Sequence, residues 1–155
     1  MCRRIVSFSL LCSLVLLSSF SAMAQDSEKK VSMKNLPPAV QKTVREQSQG
    51  AKIRGLAKEV EKGKTSYEAE LFVNGHAKDL LIDPDGTVVS VEEEIALSAA
   101  PAAVKTELVK QAGKGRISKL ETVTKNGTLE YYEAIIKTGA KRREIKVNPE
   151  GKLIK

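Results

Sequence analysis

The sequence predicts an α+β fold of two tandem units, each a short helix followed by antiparallel strands. The helices pack on one face of a continuous or abutting antiparallel sheet. Three observations predict it. Tyr67-Glu68-Ala69 is followed, sixteen residues after its Tyr, by Asp83-Pro84-Asp85-Gly86, and Tyr132-Glu133-Ala134 is followed at the same distance by Asn148-Pro149-Glu150-Gly151. Such internal duplication sets the architecture before any single element is assigned. The matches hold over most of the chain: Pro37 aligns with Pro101, Val40 with Val104, Ile53 with Ile117 and Gly63 with Gly127, all 64 residues apart. From Tyr67 and Tyr132 onward the spacing becomes 65, as one residue inserted in a loop would produce. Finally, the connections are too short for parallel crossovers, so the strands must run antiparallel.

Residues 1–24 read as an export signal. Arg3 and Arg4 precede an apolar, Ser-rich stretch from Ile5 to Phe20, and Ala22-Met23-Ala24 offers a small-x-small cleavage site before Gln25. This places the protein in the periplasm or outside the cell. Both cysteines, Cys2 and Cys12, lie in this leader, so the mature chain has no disulfide, Cys-metal site or Cys nucleophile. Its 131 residues suffice for one compact domain or two intimate halves. Residues 25–34 are polar and read as a flexible lead-in, followed by repeat 1 at 35–94 and repeat 2 at 95–155.

Each repeat opens with a helix. In the first, Asn35 is the expected cap, Pro37 sits in the first turn, and Val40, Val44 and Gln47 follow at helical spacing before Gly50. In the second, Ser98 and Pro101 open the helix, Val104, Leu108 and Ala112 form the stripe, and Gly113 ends it. Each helix has one narrow apolar edge and must lie on a sheet. Strands are expected at 52–61, 65–73, 78–82 and 87–91, then at 116–125, 129–138, 141–147 and 152–154. Turns at Lys62-Gly63, Asn74-Gly75 and Asn126-Gly127 separate them. Tyr67, Ala69, Leu71 and Val73 share one strand face.

Charge is uneven. Residues 25–94 hold 11 basic and 13 acidic residues, whereas residues 95–155 hold 13 and 6. The basic second half reads as a solvated surface. The alternative is weak contact with anionic membrane, cell-wall polymer or an acidic protein. Only four aromatics remain after residue 24, too few for a stacking nucleic-acid surface.

Catalytic and cofactor chemistry finds little support. His76, the sole histidine, falls at a hairpin tip and reads as an exposed turn residue. Asp83 and Asp85 are the alternative metal pair, with Glu92 to Glu94 nearby. However, Val88 stands where a calcium loop of the EF-hand type needs Gly, and Asp-Pro-x-Gly is a common tight turn. Glu68 and Glu133, repeated after the tyrosines, suit recognition or structure better than acid–base work. No cofactor is expected. On the strand face opposite the core stripe lie Phe72 in repeat 1 and Tyr131, Glu133, Ile135 and Lys137 in repeat 2. Phe72, Tyr131 and Ile135 are either anchors for a protein partner or packing where the repeats meet.

Leu36-Pro37-x-x-Val40, then Tyr67-Glu68, then an apolar strand ending in Asp83-Pro84-Asp85-Gly86-x-Val88, resembles the PepSY-like domain. It is similar in particular to the exported, β-lactamase-inhibitor-like group of PepSY-like proteins. Repeat 2 departs at Ala100, Asn148 and Glu150. The resemblance implies a fold similar to β-lactamase inhibitory protein, with a concave sheet as binding surface. It also implies non-catalytic action, by binding or inhibiting an envelope hydrolase or peptidase. A divalent-cation or envelope-stress responsive periplasmic protein is the alternative.

Overall fold

The computed structural model describes residues 27–154; the expected export signal lies outside them. The elements follow in the order β1 (Ser27–Lys30), α1 (Pro38–Gln47), β2 (Lys52–Glu61), β3 (Lys64–Val73), β4 (His76–Ile82), β5 (Val88–Glu94), α2 (Ala102–Ala112), β6 (Arg116–Lys125), β7 (Thr128–Thr138), β8 (Lys141–Val147) and β9 (Leu153–Ile154). A short 3-10 turn precedes each helix, Met33–Asn35 and Leu97–Ala99. The nine strands among the described residues form one antiparallel sheet in chain order.

Two prolines set the start of α1. A residue before proline is pushed out of the helical region. The chain therefore stays extended through Leu36 and Pro37 (φ −55°, ψ 147°), and the helix begins at Pro38, where a missing N–H costs nothing. This corrects the expected cap: Asn35 belongs to the 3-10 turn. In α2 a single proline, Pro101, takes the extended cap position and the helix begins at Ala102, with Ser98 again in the preceding turn. The hairpin tips Asn74-Gly75 and Asn126-Gly127 both take positive φ at each residue, the backbone of tight turns that match strand twist.

Both helices lie on one sheet face. Val40 and Val44 of α1 pack on Tyr67, Ala69, Leu71, Leu80 and Ile82. Val104 and Leu108 of α2 pack on Leu120, Tyr132, Ala134 and Val147. Each fully buried Val or Leu contributes about 1.5–3 kcal/mol of transfer free energy. Among the described residues, no helix lies on the opposite face.

Three expectations change. Residues 27–34 are not a loose lead-in: β1 pairs with β2 from Ser27↔Val60 to Lys30↔Ala57, and Val31 and Met33 pack on the first core. Main-chain bonding holds this strand, since Ser-Glu-Lys-Lys has no apolar side chain to announce it. β5 runs on through Glu94, and its pairing with β6, from Ser90↔Lys125 to Glu94↔Glu121, makes the sheet continuous. The extra residue of the second half sits inside β7 rather than in a loop. Tyr131 opposes Val123 and Leu129 opposes Thr124, so Glu130 is bulged. Two further bulges, at Arg54 in β2 and Ser118 in β6, fall at matching places.

Candidate binding face

The helix-free face is built from rows of side chains that cross the strands. Cross-strand pairing aligns Glu70, Asp79, Glu92, Val123 and Tyr131 in one row, from β3 to β7. The next row runs from Phe72 through Ala77, then Glu94, Glu121, Glu133 and Lys146 to Ile154. On the other side, Ala57, Glu68, Leu81, Ser90 and Lys125 form a third. The result is a band of carboxylates with a few cations and aromatics set among them.

All five residues singled out from the sequence lie on this face, yet they do not gather. Phe72 on β3 and Tyr131 on β7 are four strands apart, about 19 Å at ordinary strand spacing. Phe72 is half-buried, with the Arg54 guanidinium 3.8 Å from its ring centroid. The bulge in β2 puts Arg54 there. Tyr131 is half-buried between Lys125 (5.7 Å) and Lys146 (5.1 Å). Glu133 is held by Lys146 Nζ at 3.2 Å, and Lys137 is exposed. Ile135 is only 6% exposed and pairs with Lys119 on β6 and Glu144 on β8. β5 meets β6 through Glu92, Glu94, Glu121 and Val123, and Tyr131 lines a cavity shared with Ser90 and Glu92 of β5.

Residues absent from the sequence-based selection dominate the electrostatics. A cavity of about 220 Å³ opens between Glu59, Glu68, Asp79, Glu92, Lys125 and Tyr131. Burial, then repulsion from Glu59, Asp79, Glu70 and Glu28, pushes the Glu68 carboxyl up to about 7. Burial also raises Asp79, against the pull of Lys119 and Arg54, and raises Glu92, aided by Glu133 and Glu121. Glu59 is raised by burial and by Glu28 and Glu61. The sequence signalled Glu68 by its repetition in Glu133, but its partners come from three other strands.

The sign of the pH dependence follows. A carboxyl raised on folding keeps its proton in the native state at pH values where the unfolded chain, near 4.5, has released it. The associated stability is full below about pH 4.5 and is lost as pH climbs through about 7. Urea midpoints are therefore expected to fall from pH 5 to pH 8, and Glu68→Gln to flatten that slope. Glu93, whose pairing with His76 and Lys78 outweighs burial and lowers its carboxyl, acts only at more acid pH.

The turn aspartates are occupied. Asp85 Oδ1 accepts from the Thr87 N–H at 2.9 Å, which lowers its carboxyl, and Asp83 pairs with Lys64 at 3.3 Å. No group of three or more His, Cys, Asp or Glu among the described residues is arranged to hold a metal ion. His76 is more than a turn residue: it opens β4, half-buried, with Nε2 2.8 Å from Glu93 Oε1.

Solved structures share this fold. A protein of Bacteroides eggerthii described as periplasmic superposes with a TM-score of 0.65 at 19% identity, over 77% of this chain and 86% of its own. A DUF2874 family protein of Bacteroides uniformis gives 0.62 at 17% identity, over 77% and 86%. A BLIP-like protein of Bacteroides fragilis gives 0.56 at 16% identity, over 77% and 84%. No protein-family model matches the sequence, and no curated protein matches it. At these identities the likeness is one of fold.

Proposed function

We propose that this chain is an exported, non-catalytic protein-binding module of the cell envelope that inhibits or regulates a hydrolase or peptidase there. In this reading residues 1–24 are removed, and residues 35–94 and 95–155 are two PepSY-like repeats whose sheets join at β5 and β6. Phe72, Tyr131, Glu133, Ile135 and Lys137 belong to the docking face.

The observation that carries the proposal is the open sheet face itself. It keeps a row of carboxylates partly out of water and mutually repelling, with Glu68 held near 7. A partner's Lys or Arg over the Glu68–Asp79–Glu92 cavity relieves that repulsion, while Tyr131 and Leu81 supply apolar contact. The BLIP-like and periplasmic descriptions of proteins with this fold agree with such a role.

The test is affinity capture from an envelope extract with residues 25–155 as bait, followed by binding assays on the purified partner. Tyr131→Ala and Glu68→Lys are each expected to weaken binding about tenfold or more, whereas Lys42→Glu on the exposed side of α1 leaves it unchanged. A partner equally well retained by the face variants refutes the open-face reading.

A further inference from the structure

The chain contains its own example of an acidic strand seated beside basic side chains of a neighbouring strand. β4 begins His76-Ala77-Lys78, and the end of β5 lies along it with Lys78 opposite Glu93 and Asp79 opposite Glu92. The Glu93 carboxylate is 2.8 Å from His76 Nε2 and 3.4 Å from Lys78 Nζ, and the Ala77 N–H donates to Glu94 Oε2 at 3.5 Å. Val91 covers Leu80, which has no exposure.

β8 is the matching strand of the second half and begins Lys141-Arg142-Arg143. β7 pairs with it along its whole length on one side. On the other, β9 pairs with Lys146 and Val147 alone among the described residues. The consequence is visible in the side chains. Lys141 to Glu144 are exposed where their β4 counterparts are half-buried, and Ile145 is half-buried where Leu80 is sealed. The Arg143 guanidinium donates to the Gln111 carbonyl at the end of α2. An uncovered strand edge of this kind is a template for pairing.

We propose that the outer edge of β8, from Lys141 to Ile145, accepts an acidic extended segment of a partner protein as an added antiparallel strand. Its register copies β5 on β4: an acid opposite Arg143 and an apolar residue opposite Ile145. Main-chain bonds give the affinity, and the run of three cations selects the acids. A second copy of the same edge would set Lys and Arg against Lys and Arg, which cross-strand repulsion disfavours. This edge lies apart from the Glu68 cavity, so the two proposals succeed or fail separately.

The probe is a fluorescent peptide copying residues 87–95, Thr-Val-Val-Ser-Val-Glu-Glu-Glu-Ile. It is titrated against residues 25–155, which contain every described element, with amide exchange read in parallel. Binding is expected, with new protection at the amides of 141–145. A Lys141→Glu, Arg142→Glu protein, checked for an unchanged thermal melt, or a peptide with its three Glu replaced by Lys, weakens it at least about tenfold. No binding, binding indifferent to either charge reversal, or protection confined to β4 through exchange with β5 overturns the proposal. A concentration-dependent dimer that protects the same amides also overturns it, by assigning the edge to a second copy.

Discussion

Replacing Gly151 with alanine is expected to lower stability by about 3 kcal/mol, and the thermal midpoint by roughly 10 °C. Two effects add. Gly151 sits at φ 81°, a conformation that costs an L-residue about 1–2 kcal/mol. A Cβ there would also lie 2.8 Å from the carbonyl carbon and oxygen of Ala103 in the first turn of α2, and backbone cannot step aside as a side chain can. Gly86 makes the same approach to Ala39 of α1, slightly less tightly at 3.0 Å from its carbonyl oxygen, and Thr43 Oγ1 donates to the Gly86 carbonyl at 2.6 Å. Gly75 provides the control. Its φ is 91°, but an added Cβ meets nothing within 4 Å, so Gly75→Ala should cost only the conformational part, about 1 kcal/mol. Urea unfolding of the three variants separates strain in the turn from displacement of the helix. Equal losses for Gly75→Ala and Gly151→Ala would show that the helix does not press on the turn.

Lys119→Ala is expected to cost about 2–3 kcal/mol, somewhat below the range for breaking a fully buried pair because Lys119 is itself a third exposed. Its partner Glu121 is 3% exposed and lies in the row between Glu94 and Glu133. The Lys119 Nζ–Glu121 Oε1 contact is 2.5 Å. Burial would lower the Lys119 ammonium, yet Glu121, Asp79 and Glu94 together raise it. Without this cation a desolvated carboxylate stands among others. The double variant Lys119→Ala, Glu121→Gln should recover most of the loss, since the amide carries no charge to leave uncompensated. Denaturant unfolding of the cycle is the check. A double variant as unstable as the sum of the singles would mean that Lys119 acts through packing alone.

The sequence by itself determined the local geometry. Alternation in Tyr67-x-Ala69-x-Leu71 and Tyr132-x-Ala134-x-Ile136 specified strands and their core face, because side-chain direction alternates with each residue. Asn74-Gly75 and Asn126-Gly127 specified hairpins, because few residue pairs tolerate positive φ twice. Pro37 placed a helix start to within a residue or two. Each depends on neighbours in the chain. The features that characterise the open face do not. β1 carries no apolar residue, so only the backbone of β2 reveals it as a strand. The strand expected at 87–91 stops short of Glu92 to Glu94, and only pairing with β6 carries it on through them. Ile135, read as an anchor for a partner, is only 6% exposed between β6 and β8. Glu68 is raised to about 7 by burial and by carboxylates on β1, β2 and β4 as well as its own strand. Coulomb interaction and desolvation depend on distance in space. Sheet register alone brings these groups within reach of one another, so tertiary structure decided the chemistry of the face.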